Sequence, residues 1–264
     1  MAHNIAILFI TGSYSLPAAY QSFIDAISKA GYEINTPHLP TVGLRSREGR
    51  PGQGPSMYDD ADLVSRELAD LVDRGKDVVL IGHSYGGIPM SQATKGFSKK
   101  ERQAQGKAGG VVHLAYYSAL VPPLGGSAES LLSTIAQEKR PPISIDADGW
   151  MLIEDPAATA AMVCQDMPGD DAAEYVRGFT KHSARSFMDK LTYAGYEDIP
   201  SSWLLTEQDL AGPPPFQREM IATIEKASGA KVDVTSIQGS HICHVVKEKE
   251  FYAWVMGIIG KLGE

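Results

Sequence analysis

The segment Asp77-Val-Val-Leu-Ile-Gly-His-Ser-Tyr-Gly-Gly87 is the strongest indication of the fold in this chain of 264 residues. Its first half is an apolar run of the kind that forms a buried parallel strand, and the residues from Ile88 to Lys95 can form a helix. Between them, Ser84 stands at the centre of a G-x-S-x-G pattern. Gly82 and Gly86 permit a sharp reversal there because they have no side chains to collide. The segment therefore predicts a strand, a tight turn that exposes the Ser84 hydroxyl, and a helix.

The same pattern also occurs in glycine-rich turns whose serine has no chemical role, so Ser84 needs partners. A serine hydroxyl is a poor nucleophile unless a base accepts its proton, and the base needs an acid that fixes its tautomer. The turn itself supplies one further group. The N–H of Tyr85 lies at the start of a helix, where donors are unpaired and the helix dipole favours an anion.

The composition favours one large α/β domain or two small ones, with 43% hydrophobic residues to build a core. A net charge of −8 argues against nucleic acid and anionic membranes as partners. The two cysteines, Cys164 and Cys243, form no disulfide framework and are predicted to be free buried thiols. No segment approaches the ~20 apolar residues of a membrane span, and the first residues lack the basic start of a signal peptide. We therefore expect a soluble, cytoplasmic protein.

Short apolar runs alternate with amphipathic stretches, which is typical of a mostly parallel sheet covered by helices on both faces. The predicted strands are 5–10, 32–36, 78–81, 110–117, 202–206 and 231–237. The predicted helices are 17–30, 58–74, 88–95, 214–229 and 248–261. Residues 43–56 are predicted to be a loop, and the charged, polar residues 96–106 an exposed excursion.

Residues 122–198 interrupt this alternation. The segment is mostly helical in composition and carries large apolar side chains, namely Trp150, Met151, Met162, Met167, Phe179 and Phe187. An insertion between central strands of such a sheet commonly covers the active site. We therefore predict a core domain made of residues 1–121 and 199–264, with a helical lid over 122–198. A set of ordinary packing helices is the alternative.

A candidate base and a candidate acid follow the last two predicted strands. His241 lies between the final strand and the final helix, and His244 is the alternative base. Asp209 follows strand 202–206, and Glu207 is the alternative acid. Asp198 precedes that strand and so lies at the wrong end of the sheet. Ser84, Asp209 and His241 thus occur in the chain order nucleophile, acid, base.

The loop after the first strand is predicted to complete the site. The N–H of Ser13 is the expected second donor to an oxyanion, together with the N–H of Tyr85. Gly12 lets the backbone approach a substrate, and the side chains of Ser13 and Tyr14 either point into the pocket or pack against the lid. No cysteine or acidic cluster near His241 completes a metal site, so neither a metal nor another cofactor is expected.

At this point the chain resembles the α/β-hydrolase superfamily, and within it the small cofactor-free branch that includes plant methylesterases and hydroxynitrile lyases. The matching segments span nearly the whole chain: Ile10-Thr-Gly-Ser13, Gly82-His-Ser-Tyr-Gly-Gly87, Val121-Pro-Pro123, Leu205-Thr-Glu-Gln-Asp209, Phe216-Gln-Arg218 and Gly239-Ser-His241. The resemblance implies an α/β-hydrolase fold, a helical lid and an acyl-transfer triad. Two departures are Thr11 in place of the family's histidine, and Lys247-Glu248 where a proline is common.

The same resemblance bears on the lyase alternative. Hydroxynitrile lyases of this branch place a lysine directly after the catalytic histidine and a threonine where esterases have the glycine of the oxyanion loop. Those positions are Ile242 and Gly12 in this chain, which is the esterase pattern.

Together these features predict a serine hydrolase that cleaves a small apolar or aromatic ester or lactone through Ser84, His241 and Asp209. The alternative is a non-hydrolytic protein on the same scaffold, either a small-ligand receptor or a lyase or other enzyme of secondary metabolism. The sequence identifies neither the substrate nor the oligomeric state, and it is compatible with a homodimer.

Overall fold

The computed structural model of the protein describes residues 4–137 and 140–263. Nine strands form within these residues: β1 (Ile5–Ile10), β2 (Glu33–Asn35), β3 (Asp77–His83), β4 (Gly110–Tyr117), β5 (Ile143–Ile145), β6 (Trp150–Ile153), β7 (His182–Ser183), β8 (Ser201–Thr206) and β9 (Asp233–Ile237). The helices are α1 (Gln21–Lys29), α2 (Met57–Asp73), α3 (Gly87–Ala93), α4 (Lys99–Ala104), α5 (Ala128–Leu132), α6 (Pro156–Val163), α7 (Gly169–Arg177), α8 (Ala184–Met188), α9 (Pro214–Ser228), α10 (Cys243–Val246) and α11 (Glu248–Leu262).

The main sheet has six strands in the order β2-β1-β3-β4-β8-β9, and every neighbouring pair is parallel. The predicted α/β fold is therefore confirmed. The chain runs outward from β1 to β2 and then returns to β3, so the strand order reverses between β1 and β3. The loops that follow these two strands leave the sheet side by side, which is where ligands bind in open α/β sheets.

The strands of the main sheet alternate between two apolar layers. Leu8 and Ile10 of β1 pack in one cluster with Leu68 of α2. Ile7 and Phe9 face the opposite side, in a cluster that also contains side chains of α1 and α11. Because both faces are covered, β1 and β3 read in the sequence as continuous apolar runs.

The insertion between β4 and β8 contains more than the predicted helices. Strands β5, β6 and β7 form an antiparallel three-stranded sheet beside helices α5 to α8. This sheet was not predicted, because its strands have only two to four residues, too few for a clear alternation of apolar and polar positions. Side chains of β6, α6 and α7 form a third apolar cluster, which also includes Tyr14 and Ile242 of the core.

The prediction of an exposed excursion over residues 96–106 is correct for residues 103–106, which are exposed, and wrong for Ser98 and Arg102, which are buried. Helix α4 forms there, and Ser98 caps it by accepting a hydrogen bond from the N–H of Glu101 at 3.2 Å. Arg102 is only 5% exposed, and its guanidinium donates to the carbonyls of Gly109 and Val72. The sequence contains the S-x-x-E capping pattern for this helix, at Ser98 and Glu101.

Both cysteines are free and buried, as predicted. None of the helices in the described residues has the length and apolar character needed to cross a membrane.

Candidate active site

Ser84 lies at a sharp turn between β3 and α3. Its backbone has a φ of +50°, in the left-handed region that non-glycine residues rarely adopt. The turn also brings the backbone of Gly86 against the end of β1. A Cβ atom at Gly86 would lie 2.5 Å from the carbonyl oxygen of Ile10 and 2.6 Å from that of Thr11, so only glycine fits. The half-buried Ser84 side chain is left at the carboxyl edge of the sheet.

Asp209 and His241 meet at the ends of the neighbouring strands β8 and β9. Nδ1 of His241 lies 2.8 Å from Oδ2 of Asp209, which is 1% exposed. The other carboxylate oxygen of Asp209 accepts hydrogen bonds from the N–H groups of Ala211 at 2.9 Å and Gly212 at 2.7 Å. The carboxylate is thus held in one orientation. Because Nδ1 of His241 donates to Asp209, Nε2 is left with the lone pair that a general base needs.

Ser84 and His241 line one cavity. Within the described residues, no direct hydrogen bond joins the Ser84 hydroxyl to His241. Catalytic hydrogen bonds often become short only when substrate is bound, so the lack of a direct hydrogen bond between Ser84 and His241 is compatible with a nucleophile and its base.

The alternative acid and base are engaged elsewhere. Glu207 accepts a hydrogen bond from Ser236 at 2.9 Å and forms an ion pair with Arg218. His244 is buried behind the cavity, where its ring stacks on Tyr20 and its Nδ1 lies 3.2 Å from the hydroxyl of Tyr117. Burial lowers the pKa of His244 to about 3, so its imidazole is neutral. The geometry therefore favours Asp209 and His241 over Glu207 and His244.

In the loop after β1, the backbone N–H groups on either side of Ser13 are engaged in hydrogen bonds. The N–H of Gly12 donates to the hydroxyl of Tyr20 at 3.1 Å, and the N–H of Tyr14 donates to Nδ1 of His182 at 3.5 Å. Between them, the N–H of Ser13 has no hydrogen-bond partner among the described residues. This leaves Ser13 as the donor available to an oxyanion. A Cβ atom at Gly12 would lie 3.3 Å from Cβ of Ser84, which shows how closely the loop approaches the serine.

The side chains of the predicted oxyanion residues have different surroundings. Tyr14 borders the cavity, but its ring stacks on Phe179 and its hydroxyl contacts the sulfur of Met151 at 3.7 Å. The side chain of Tyr85 points away from the cavity and donates to Oδ2 of Asp60 at 2.8 Å. Tyr85 can therefore act on a substrate only through its backbone N–H.

Asp60 is a buried carboxylate that sequence analysis did not single out. It is fully buried on α2 and also accepts hydrogen bonds from the N–H of Thr41 at 3.0 Å and from its hydroxyl at 2.6 Å. Burial raises the pKa of Asp60 to about 7, and the hydrogen bonds from Thr41 and Tyr85 oppose this rise. The sequence held no signal for this role, since an acidic residue in the first turn of a helix is ordinarily exposed.

A hydrogen-bonded chain behind Ser84 connects the parts of the site. The Tyr20 hydroxyl accepts from the N–H of Gly12 and lies 2.8 Å from Nδ1 of His83, while Nε2 of His83 lies 3.0 Å from the backbone carbonyl of His241. Because a carbonyl only accepts, Nε2 of His83 carries the proton and Nδ1 accepts from Tyr20. Burial lowers the pKa of His83 well below its ordinary value, which keeps the ring neutral.

The cavity above Ser84 has a volume of about 620 Å³. Its walls are mainly apolar, and most of them come from the insertion and from α9. Among the described residues, three formally charged side chains line it, those of Glu129, Arg140 and Glu154. The apolar lining includes Leu120, Leu132, Ile135, Ile143, Ile145, Met151, Ile153, Met162, Val163, Phe179, Phe187 and Phe216.

Four of the six large apolar residues noted in the insertion line this cavity, and Trp150 and Met167 do not. Trp150 packs beside Gly49, and its indole N–H donates to the carbonyl of Gly52 at 2.9 Å. The described residues contain no group of three or more histidine, cysteine, aspartate or glutamate side chains that could hold a metal ion.

Comparisons with known proteins agree with this architecture. A model of the alpha/beta hydrolase family matches residues 7–254. The chain is 30% identical over 236 residues to Probable hydrolase R7 of Phoma sp. (strain ATCC 20986 / MF5453), an alignment that covers 89% of this chain and 90% of that protein.

Solved structures show the same fold at lower identity. A pyrethroid hydrolase from Sphingobium faniae JZ-2 has a TM-score of 0.70 at 19% identity over 96% of each chain. The methylesterase MES16 from Arabidopsis has a TM-score of 0.68 at 13% identity, covering 97% of this chain and 99% of that one. The predicted resemblance to a branch with plant methylesterases is thereby confirmed at the level of the fold. Given the extent of the family match, the chain belongs to the alpha/beta hydrolase family.

Proposed function

We propose that this protein is a serine hydrolase of carboxylic esters, with Ser84 as nucleophile, His241 as base and Asp209 as the acid that orients it. The observation that carries the proposal is the pair of His241 and Asp209 at 2.8 Å, on the same cavity as a serine held at a φ of +50°. Membership of a hydrolase family agrees with this reaction class, as do the names of the pyrethroid hydrolase and the methylesterase.

The reaction has two halves. In the first, Oγ of Ser84 attacks the ester carbonyl carbon while Nε2 of His241 accepts the hydroxyl proton. The tetrahedral intermediate then collapses, and the alkoxy oxygen takes that proton from His241. The alcohol departs, and the acyl group remains bound to Oγ of Ser84. In the second half, His241 accepts a proton from water as its oxygen attacks the acyl carbon. Collapse returns the proton to Ser84 and releases the carboxylic acid.

Two backbone donors stabilise the negative oxygen of each intermediate. These are the N–H of Ser13, which has no partner among the described residues, and the N–H of Tyr85, the residue after Ser84. A donor of this kind contributes on the order of 3 kcal/mol to transition-state stabilisation. Asp209 stabilises the imidazolium that His241 becomes in each half-reaction.

The cavity lining sets the substrate class. A volume of about 620 Å³ with mainly aliphatic, methionine and phenylalanine walls suits a small apolar or aromatic ester or lactone. The insertion over residues 122–198 supplies much of this lining and acts as a lid over Ser84.

Turnover of p-nitrophenyl butyrate by wild type and by Ser84→Ala tests the proposal. We expect release of p-nitrophenol by wild type and a loss on the order of 10⁶-fold in kcat for Ser84→Ala. Wild-type protein that shows neither a burst nor turnover, but is stabilised against heat by small apolar ligands, would instead indicate a binding protein.

A second comparison tests the base. His241→Ala is expected to abolish turnover, whereas His244→Phe, which keeps a ring stacked on Tyr20, retains it. The opposite result would assign the base to His244.

A further inference from the structure

The insertion makes hydrogen bonds to the loops that carry the acid and the base, in each case one residue away from the catalytic side chain. The side-chain amide of Gln165 donates to the backbone carbonyl of Gln208, the neighbour of Asp209. Oδ2 of Asp166 accepts a hydrogen bond from the N–H of Ser240 at 3.0 Å, and Ser240 precedes His241. Gln165 and Asp166 lie together in the short connection between α6 and α7.

A second part of the insertion binds the oxyanion loop. The carbonyl of Tyr14 accepts a hydrogen bond from the N–H of Thr180 at 2.9 Å, and the N–H of Tyr14 donates to Nδ1 of His182 at 3.5 Å. Thr180 is 1% exposed and His182 is fully buried. Both polar groups of the Tyr14 backbone are therefore bound by the insertion, one residue after Ser13.

The acceptor state of His182 follows from its other neighbours. The hydroxyl of Ser186 donates to the carbonyl of Ser183 at 2.8 Å, so its oxygen accepts from Nε2 of His182 at 3.1 Å. Nδ1 is consequently unprotonated and can accept from Tyr14. Burial lowers the pKa of His182 to about 3, which keeps the ring in this neutral form.

Tyr14 needs such support because its backbone has a φ of +63°. A non-glycine residue in this region is strained and persists only when its surroundings over-determine it. The ring of Tyr14 is also enclosed by the insertion, stacked on Phe179 and beside His182.

We infer that the insertion fixes the three loops of the active site, and that Asp166 and His182 are positioning residues for His241 and Ser13 respectively. This inference rests on the proposed function, and it assigns residues 165–182 a role beyond covering the cavity. Because the bonds reach the chain next to each catalytic group, their loss shifts the geometry of reaction more than it changes substrate binding.

Paired substitutions test the inference. Asp166→Asn and His182→Asn keep an oxygen that can accept the backbone N–H, whereas Asp166→Leu and His182→Leu replace it with a branched apolar side chain that cannot accept a hydrogen bond. We expect each leucine variant to lower kcat for p-nitrophenyl butyrate about 10- to 100-fold with KM changed less than about threefold. Each asparagine variant is expected to stay within about threefold of wild type in kcat. A packing role predicts the reverse at buried His182, where leucine is the more favourable residue.

Asp170→Leu is the control for loss of a negative charge, since Asp170 is an exposed carboxylate in the first turn of α7 and is expected to leave kcat unchanged. Because Asp166 is also exposed, its variants keep the test intact should a His182 variant fail to fold.

Amide hydrogen exchange supplies a readout that does not depend on turnover. His182→Leu is expected to speed exchange about tenfold or more in residues 11–16, and Asp166→Leu in residues 238–243, with residues 77–83 of β3 unchanged. Unchanged exchange in both loops would overturn the inference, as would faster exchange with kcat unaltered. If wild type turns over no ester, the proposed function is contradicted but this inference is not. Hydrogen exchange would still show whether the insertion holds the two loops.

Discussion

Substitution of Tyr20 by phenylalanine removes one oxygen atom from the chain of hydrogen bonds behind Ser84. That oxygen accepts from the N–H of Gly12 at 3.1 Å and donates to Nδ1 of His83 at 2.8 Å. Tyr20 is 1% exposed and His83 is 3% exposed, so water cannot replace the lost partner. The variant leaves one buried donor and one buried acceptor unsatisfied.

The expected cost follows from these two groups. An unsatisfied buried polar group costs about 1–3 kcal/mol, so Tyr20→Phe should lower the free energy of unfolding by at least about 2 kcal/mol. That is a large fraction of the 5–15 kcal/mol that is typical of a folded domain. Tyr58→Phe is the matched control. Its hydroxyl donates to the carbonyl of Lys190 at an exposed position, where water can take its place, and the expected loss is under about 1 kcal/mol.

Urea denaturation followed by circular dichroism measures both variants, with equal m-values required for the comparison. The reasoning is refuted if Tyr20→Phe unfolds at the same urea concentration as Tyr58→Phe. In that case the hydroxyl of Tyr20 would not be the group that satisfies Gly12 and His83.

Three further substitutions give distinct outcomes. Ser84→Gly relieves the strain of the left-handed backbone, so thermal unfolding should show it about 0.5–1 kcal/mol more stable than Ser84→Ala, and equal stabilities would contradict backbone strain at position 84. Gly86→Ala places a Cβ atom against two backbone carbonyls of the β1 end, and we expect little folded protein by circular dichroism; a native-like variant would show that the turn can move. The raised pKa of Asp60, about 7 against an ordinary 3.8, means that the native state binds the extra proton, so stability falls as pH rises through this range. The free energy of unfolding of wild type should fall by about 2–3 kcal/mol between pH 5 and pH 8 because of this group, and that of Asp60→Asn should not. Parallel pH dependences of the two proteins in urea denaturation would disprove the raised pKa of Asp60.

The main sheet was predictable because its central strands are buried on both faces and therefore stand out as apolar runs. Ser84 was predicted from the G-x-S-x-G pattern after β3, and Asp209 and His241 were predicted from their places after β8 and β9. Local patterns were sufficient for both inferences. Helix α4 was also encoded locally, by the capping pair Ser98 and Glu101. The charged composition of residues 96–106 was the less informative signal there.

The remaining features depend on contacts between distant parts of the chain. His83 and Tyr20 are 63 positions apart, and Tyr14 and His182 are 168 positions apart. Neither pair produces a local sequence pattern. A buried histidine that has a distant hydrogen-bond partner and one that has none look the same in a single sequence. The small sheet of the insertion also depends on distant contacts, since its three short strands become recognisable only once they are paired.

In the proposed reaction, Ser84 becomes acylated through the action of His241. The most direct measurement is intact mass spectrometry after incubation with a fluorophosphonate, followed by peptide mapping of wild type and His241→Ala. We expect one adduct per wild-type chain, mapped to Ser84, and labelling at least about 10²-fold slower in His241→Ala. An adduct on another residue, or equal rates of labelling in the two proteins, would contradict it.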